Sequence, residues 1–262
     1  MGYNLGELNE IDFVKCLNNK KYCELNIMFQ TFLDDIFKIV NNDDTIICKK
    51  NKYKTKTDII ININGIQKRI SIKMGYNNSV HIEPISTFIH FLIENNIDRK
   101  NIIEYLKYHY ADGSTNGTGI NRISGKEYKM KHQKEIDEIN NNFNNLELVK
   151  KAINRFVIQG RNSKYEIDAI IYGTTNDFLW IKKDDIYNFL LKKINVYSSG
   201  IHFSSLFCQP EDRCLNKNSK YENKRFIIQI KWYSLFDDII KNMNDMVCSS
   251  MEKEHFHAEY GR

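Results

Sequence analysis

A carboxylate, a hydroxyl and an amine fall on one face of a predicted β-hairpin. Asn64-Gly65 lies between two runs of alternating β-branched residues, and this pair favours a type I′ turn because both of its positions need positive φ. With this turn Asp58 lies directly opposite Ser71, and Lys73 shares the face of Ser71 because strand side chains alternate with period two. The grouping is typical of a metal-dependent phosphodiesterase site.

The opposite face of the hairpin is predicted to be a hydrophobic layer. Its members are Ile59, Ile61, Ile63, Ile66, Ile70 and Ile72. A strand pair with one apolar and one polar face covers a core with the first and presents the second. The hairpin should therefore hold the three polar side chains above a packed sheet.

The motifs of this hairpin resemble those of the PD-(D/E)xK nuclease superfamily, which contains most type II restriction endonucleases. Thr57-Asp58 matches the first acidic element, Ser71-Ile72-Lys73 matches the D/E-x-K element, and Glu10 matches the acid of the preceding helix. The resemblance covers roughly residues 5–95. It implies an α/β fold with a restriction-endonuclease-like mixed β-sheet flanked by helices, and the strands predicted near the carboxyl end add a β-rich C-terminal elaboration.

The resemblance implies Mg²⁺ as cofactor. Asp58 would be a metal ligand, and Lys73 would orient or deprotonate the attacking water and stabilise charge in the transition state. The family usually has Asp or Glu where this chain has Ser71, and a hydroxyl is a weak ligand for a hard cation. We expect Ser71 to hydrogen-bond within the site, with Glu83 as the migrated acid and second metal ligand and Glu10 as the alternative.

Composition predicts a folded globular protein. The 262 residues are 42% hydrophobic and 12% aromatic, enough for one continuous domain with a sizeable core. We place a nuclease core at residues 1–110 and a helical and β-rich region that completes the fold and contacts DNA at residues 111–262. The net charge of +5 suits a polyanion partner. The sequence has no signal peptide or long apolar run, so we expect no membrane association, a cytoplasmic location and reduced cysteines.

Hydrophobic periodicity predicts the remaining elements. Helices are predicted at residues 5–17, 26–40, 84–94, 98–108, 126–156 (with a break around 140–145), 184–193 and 235–246. Strands are predicted at residues 45–49, 165–172, 178–182, 201–208 and 225–232. The hairpin of residues 165–182 repeats the Asp…Lys pattern with Asp168 and Lys182, but Trp180 stands in place of the second acid. We interpret this second hairpin as scaffold.

Polar and basic residues, most of them in the last third of the chain, are the candidates for DNA contact. Arg and Lys suit phosphates and guanine, while Asn and Gln can bond adenine through two hydrogen bonds. Several of the candidates lie in the polar loop of residues 210–224, for which the alternative interpretation is a solvated surface loop without DNA contact. The candidates are Arg161, Asn162, Gln209, Arg213, Lys217, Lys220, Arg225, Gln229 and Lys231.

These inferences together predict a sequence-specific double-stranded DNA endonuclease of the type II restriction class. A homodimer is expected by analogy, because cutting both strands of a palindrome needs two sites related by a two-fold axis. Two alternatives stay open. One is another nuclease of the same fold, such as a junction resolvase or a repair nuclease, and the other is a DNA-binding protein without catalysis.

Overall fold

The computed structural model describes residues 4–75, 78–161, 163–194, 196–217 and 219–244. Its helices are α1 (Leu5–Leu17), α2 (Ile27–Phe37), α3 (Ile85–Glu94), α4 (Arg99–Tyr110), α5 (Gly125–Lys131), α6 (Gln133–Phe143), α7 (Leu146–Ile153) and α8 (Lys183–Lys192), followed by α9, which begins at residue 235 and is described to residue 244. Its strands are β1 (Lys20–Lys21), β2 (Thr45–Lys50), β3 (Ile59–Ile63), β4 (Ile66–Lys73), β5 (Ser79–Pro84), β6 (Ala169–Thr174), β7 (Asp177–Lys182), β8 (His202–Phe203), β9 (Leu206–Pro210) and β10 (Ile227–Lys231).

The chain divides into two compact units, each assembled from separate stretches of sequence. The first unit takes in the described residues of 4–75, 158–189 and 234–244, and the second takes in those of 78–157 and 190–233. The division into residues 1–110 and 111–262 that we drew from the sequence stays a prediction.

The first unit is built on a six-stranded sheet in the order β1-β2-β3-β4-β6-β7. Neighbouring strands are antiparallel except β4 and β6, which run parallel. α1 contacts β2 and β4, and α2 contacts β4. Phe13, Phe32 and Leu33 are fully buried in the core cluster that these helices form with the strands. A mixed sheet flanked by helices is the predicted fold class, which is confirmed.

The register of the first hairpin is the predicted one. Ile59 pairs with Ile70 and Ile63 pairs with Ile66, and the turn residues Asn64 and Gly65 have φ values of 52° and 83°. All but one of the predicted isoleucines are buried. The exception is Ile66, the residue directly after the turn, which is 55% exposed.

The second unit contains a four-stranded antiparallel sheet in the order β5-β10-β9-β8. Three of its strands, β8, β9 and β10, come from the carboxyl-terminal region that was predicted to be β-rich, whereas β5 comes from residues 79–84, where no strand was predicted. The strand predicted at residues 201–208 is instead two paired strands, β8 and β9, because the chain turns back at Ser204, where φ is 52°. The helical stretch predicted at residues 126–156 is also broken at His132, whose φ of −132° and ψ of 33° separate α5 from α6.

Two sequence-based expectations concerned the membrane and the thiols. No helix in the described parts of the chain is long and apolar enough to cross a membrane. Free thiols are found at Cys16, Cys23, Cys48, Cys208 and Cys214, and Cys248 lies outside the described residues.

Candidate active site

The Asp58 carboxylate is held by the strand that faces it. Its Oδ2 accepts a hydrogen bond of 2.6 Å from the Ile72 amide and one of 3.0 Å from the Ser71 hydroxyl. The Lys73 amine lies 3.6 Å from the same oxygen. Within the described chain every hydrogen bond of this carboxylate uses Oδ2, so Oδ1 is left for a ligand.

Main-chain bonds on both sides fix the position of Asp58. The Asp58 amide donates to the Ile70 carbonyl at 2.9 Å, and the Asp58 carbonyl accepts from the Asn51 amide at 2.8 Å. Asp58 therefore sits between the end of β2 and β4, immediately before β3 begins. Lys73 is oriented by its own hydrogen bond to the Ile72 carbonyl, at 3.2 Å. A carboxylate and an amine positioned in this way need little reorganisation to act on a ligand.

Glu10 joins this cluster from α1. Its carboxylate makes an ion pair of 2.9 Å with Lys50. Burial raises the pKa of Glu10, the hydrogen bond from Lys50 lowers it, and the negative charge of Asp58 raises it again. The Lys73 charge also acts on the pKa of Glu10. The charges of Asp58 and Lys73 therefore both act on Glu10, and Ser71 joins this group through its hydrogen bond to Asp58.

Glu83 belongs to the second unit. It lies in β5, which continues through Pro84, and α3 begins only at Ile85. The Glu83 side chain is buried, and its Oε2 accepts a hydrogen bond of 2.7 Å from the Arg155 guanidinium. This buried ion pair gives Glu83 a structural partner inside its own unit, and its role as a metal ligand stays a prediction.

Two of the predicted DNA-contact arginines are engaged inside the second unit. Arg225 is buried, with its guanidinium bonded to Asp112 at 2.5 Å and to the Gly117 carbonyl at 3.0 Å. Arg213 donates to the Tyr108 carbonyl at 3.0 Å. Contact of the Arg225 guanidinium with DNA in this arrangement would require breaking its bonds, and DNA contact by either arginine stays a prediction.

The other candidates in the second unit lie nearer the surface. Gln209 and Gln229 face each other across β9 and β10, and Gln209 accepts a hydrogen bond of 2.7 Å from the Tyr233 hydroxyl. The Lys231 amine lies 5.5 Å from the centre of the Tyr233 ring. The structure thus brings two amides, a lysine and a tyrosine together on one sheet, and DNA contact by these side chains stays a prediction.

The remaining DNA-contact candidates are scattered along the chain. The side chains of Lys217 and Lys220 are exposed in the second unit, and that of Arg161 is exposed in the first. Asn162 lies outside the described residues.

A basic segment next to the site was missed by the sequence reasoning. Five of the eight residues 49–56 are lysines, no acid occurs among them, and Tyr53 lies in the middle. Lys52, Tyr53 and Lys54 are exposed, and the segment runs directly into Thr57-Asp58. The signal was present as alternating lysines, but the lysine-rich composition of the whole chain made it easy to overlook.

No protein-family model and no curated protein matches this sequence. Among solved structures, the restriction endonuclease MspI in complex with its cognate DNA is similar to this chain, with a TM-score of 0.52 and 13% sequence identity. The likeness covers 87% of this chain and 88% of that one. At this identity the likeness shows the fold, and the fold of this chain is that of a restriction endonuclease.

Proposed function

We propose that this chain is a Mg²⁺-dependent, sequence-specific endonuclease of double-stranded DNA, a type II restriction enzyme of the PD-(D/E)xK superfamily. One observation carries the proposal. The Asp58 carboxylate is fixed by Ser71 and Ile72 on the neighbouring strand, with the Lys73 amine 3.6 Å away. The restriction-endonuclease fold supports it.

The donor atoms of the cluster fit Mg²⁺. Across the described residues, no group of three or more His, Cys, Asp and Glu side chains could hold a metal ion. Mg²⁺ does not require such a group, since it is usually held by one or two carboxylates while substrate phosphate and water complete the shell. Asp58 and Glu10 would be these carboxylates. When bound, the cation would act as a Lewis acid toward the phosphodiester and make a water molecule more acidic.

Ser71, Ile72 and Lys73 would position the metal ligand and the attacking water. Ser71 and the Ile72 amide hold one oxygen of Asp58, so the other oxygen would be the one that binds the cation. Lys73 places a positive charge where it can orient the attacking water and stabilise charge developing on the phosphate oxygens, a contribution that grows in a site with little water. Water would attack phosphorus directly while the bond from phosphorus to one sugar oxygen breaks and that oxygen takes up a proton, so no covalent enzyme intermediate forms.

Glu10 is the second acid in this proposal, in preference to Glu83. The charge of Asp58 acts on Glu10, whereas Glu83 is paired with Arg155. Double-stranded DNA is the proposed partner, with the exposed Lys52 and Lys54 contacting phosphates. A homodimer would bring two such sites to the two strands.

The test is incubation of the purified protein with unmethylated phage DNA, in Mg²⁺ and in EDTA. The proposal expects discrete fragments that require Mg²⁺, that disappear in Asp58→Ala and that persist in Asp43→Ala, a matched change at an exposed aspartate. A smear would point to unspecific cleavage by the same fold. Intact DNA in every lane would rule out the nuclease proposal.

A DNA-binding protein without catalysis is the second candidate. Two observations favour it: Ser71 replaces a metal-binding acid, and Lys50 already neutralises Glu10 at 2.9 Å. Intact DNA combined with a retained gel shift would support this candidate.

A further inference from the structure

A pocket of about 310 Å³ opens in the first unit beside the hairpin, at the lower end of the range typical of ligand sites, about 300–1,000 Å³. Its floor includes Ile60 and Arg69, which are directly paired across β3 and β4. Its walls include Tyr53 and Tyr165. Two tyrosines, an arginine and an isoleucine therefore line one pocket.

The two tyrosines expose their rings to solvent. Tyr53 is 80% exposed and Tyr165 is 59% exposed. The guanidinium carbon of Arg69 lies over the Tyr165 ring, 4.0 Å from its centre, so the cation and the ring are in direct contact. Stacked aromatic and guanidinium planes are the platform on which proteins bind unpaired nucleobases.

Side-chain hydrogen bonds hold both walls in place. The side-chain amide of Asn51 donates to the carbonyls of Tyr53 and Thr57 and to the Thr55 hydroxyl, at 3.1, 2.9 and 2.8 Å. On the other wall the Ser163 hydroxyl accepts from the Tyr165 amide at 3.0 Å and donates to the Tyr165 carbonyl at 2.7 Å. The pocket is therefore preformed, which lowers the entropic cost of binding a flat ligand.

The pocket continues the face of the hairpin that carries Asp58. Ile60 and Arg69 lie two residues along the strands from Asp58 and Ser71, and they share a face with them because side chains alternate with period two. Two residues of a strand span about 7 Å. A nucleotide flanking a phosphate at Asp58 can therefore reach the pocket, and the exposed Lys52 supplies positive charge nearby for its phosphate.

We propose that this pocket binds one unpaired nucleobase of the DNA strand whose phosphate lies at Asp58, by stacking it with Tyr165 and Tyr53. The position of that phosphate rests on the proposed function. The chemistry selects a flat aromatic base attached to a polyanion, and it implies that the strand is unstacked beside the cleavage position.

The test measures fluorescence anisotropy of labelled duplexes in EDTA, so that cleavage plays no part. Three duplexes are compared: one fully paired, one with a single unpaired thymine, and one in which an abasic nucleotide replaces that thymine. The unpaired thymine is expected to tighten binding at least about fivefold over both other duplexes, the lower end of the contribution of one stacked base. The abasic duplex separates base stacking from flexibility of the backbone.

Variants of the pocket locate the effect. Tyr165→Ala is expected to abolish the thymine preference and Tyr53→Ala to reduce it, while Tyr165→Phe keeps it because stacking needs no hydroxyl. The matched control is Tyr197→Ala, an exposed tyrosine of the second unit, which is expected to leave the preference unchanged. Equal binding of all three duplexes, or a thymine preference that survives Tyr165→Ala, would overturn the proposal.

This outcome is independent of the cleavage test. If the protein prefers the unpaired thymine but cuts no phage DNA, the pocket proposal is supported and the nuclease proposal is overturned. If the protein cuts phage DNA but shows no thymine preference, the nuclease proposal is supported and the pocket proposal is overturned.

Discussion

Two aspartates of the first unit bind the same strand, β4, in nearly the same way. Asp58 accepts a hydrogen bond from the Ile72 amide at 2.6 Å, and Asp168 accepts one from the Arg69 amide at 2.8 Å. Each also lies beside a lysine of β4. The difference is in the carboxylate oxygens: Asp168 uses both of them, while Asp58 uses only Oδ2 within the described chain.

The main chain and the neighbouring acid extend this contrast. Asp168 closes the junction of β4 and β6, because its amide donates to the Arg69 carbonyl at 2.7 Å and its carbonyl accepts from the Lys183 amide at 2.9 Å. Asp58 instead raises the pKa of a second acid, Glu10. If the proposed function holds, an aspartate beside a lysine on adjacent strands is not by itself sufficient for a site. An open carboxylate oxygen and a second acid are what distinguish the Asp58 cluster.

Substitution of the two lysines is expected to give the largest difference between the two aspartate pairs. Lys73 lies 3.6 Å from Asp58, and Lys68 lies 3.1 Å from Asp168. Lys73→Met is expected to lower the single-turnover cleavage rate about 10²–10³-fold, the range for one lost positioned charge in a catalytic site. Lys68→Met should leave the rate within a few-fold of the unmodified protein. Equal losses in the two variants would show that the two pairs are not functionally different.

The two glutamates test which acid completes the site. Glu10→Gln is expected to lower cleavage at low Mg²⁺ at least about tenfold, with partial recovery at high Mg²⁺, because it weakens metal binding. Glu83→Gln leaves the Arg155 charge, whose side chain is 17% exposed, without its charged partner and should cost about 3–5 kcal/mol of unfolding free energy, the range for breaking a buried ion pair. Cleavage by the folded fraction should persist. Normal cleavage by Glu10→Gln together with loss in folded Glu83→Gln would restore Glu83 as the metal ligand.

The structural role of Asp168 predicts a smaller effect, on stability alone. Asp168→Asn weakens the bonds to Lys68 and the Arg69 amide, and such losses cost about 1–3 kcal/mol. Urea unfolding followed by circular dichroism would measure this cost. An unchanged unfolding free energy would mean that Asp168 does not hold the β4–β6 junction.

The raised pKa of Glu10 predicts the smallest effect. Burial is the largest cause, so the folded protein binds the proton of Glu10 more tightly than the unfolded chain, whose value is about 4.5. Charged Glu10 therefore costs stability at neutral pH, and this cost disappears as the pH falls through the folded-state pKa toward 4.5. Glu10→Gln should be more stable than the unmodified protein at pH 7 and should lose that advantage near pH 4. Urea unfolding at the two pH values checks the sign, and an advantage that grows on acidification would contradict it.

The parts of the fold that sequence reasoning recovered depend on local signals. Asn64-Gly65 and the alternating isoleucines determine the turn, the register and the pairing that brings Asp58 to Ser71. The helical repeat of residues 5–17 places Glu10 on α1. Each of these features depends on side chains within a few residues of one another, so the sequence alone is enough to predict them.

The features that sequence reasoning missed are decided by distant parts of the chain. Glu83 precedes a proline and an apolar helical run, but pairing of β5 with β10 keeps it in a strand, and Arg155 neutralises its charge. Arg225 belongs to a basic stretch, yet its side chain is buried in an ion pair with Asp112. No local pattern encodes either contact, because each partner lies more than seventy residues away in the sequence.

The central claim is that the chemistry belongs to Asp58 and not to its structural counterpart Asp168. The most direct measurement is the single-turnover cleavage rate of one DNA substrate in Mg²⁺ by the unmodified protein, Asp58→Asn and Asp168→Asn. We expect cleavage to fall more than about 10³-fold in Asp58→Asn and to stay within a few-fold in Asp168→Asn, with DNA binding retained in both. Undiminished cleavage by Asp58→Asn, or equal loss in the two variants, would contradict the assignment.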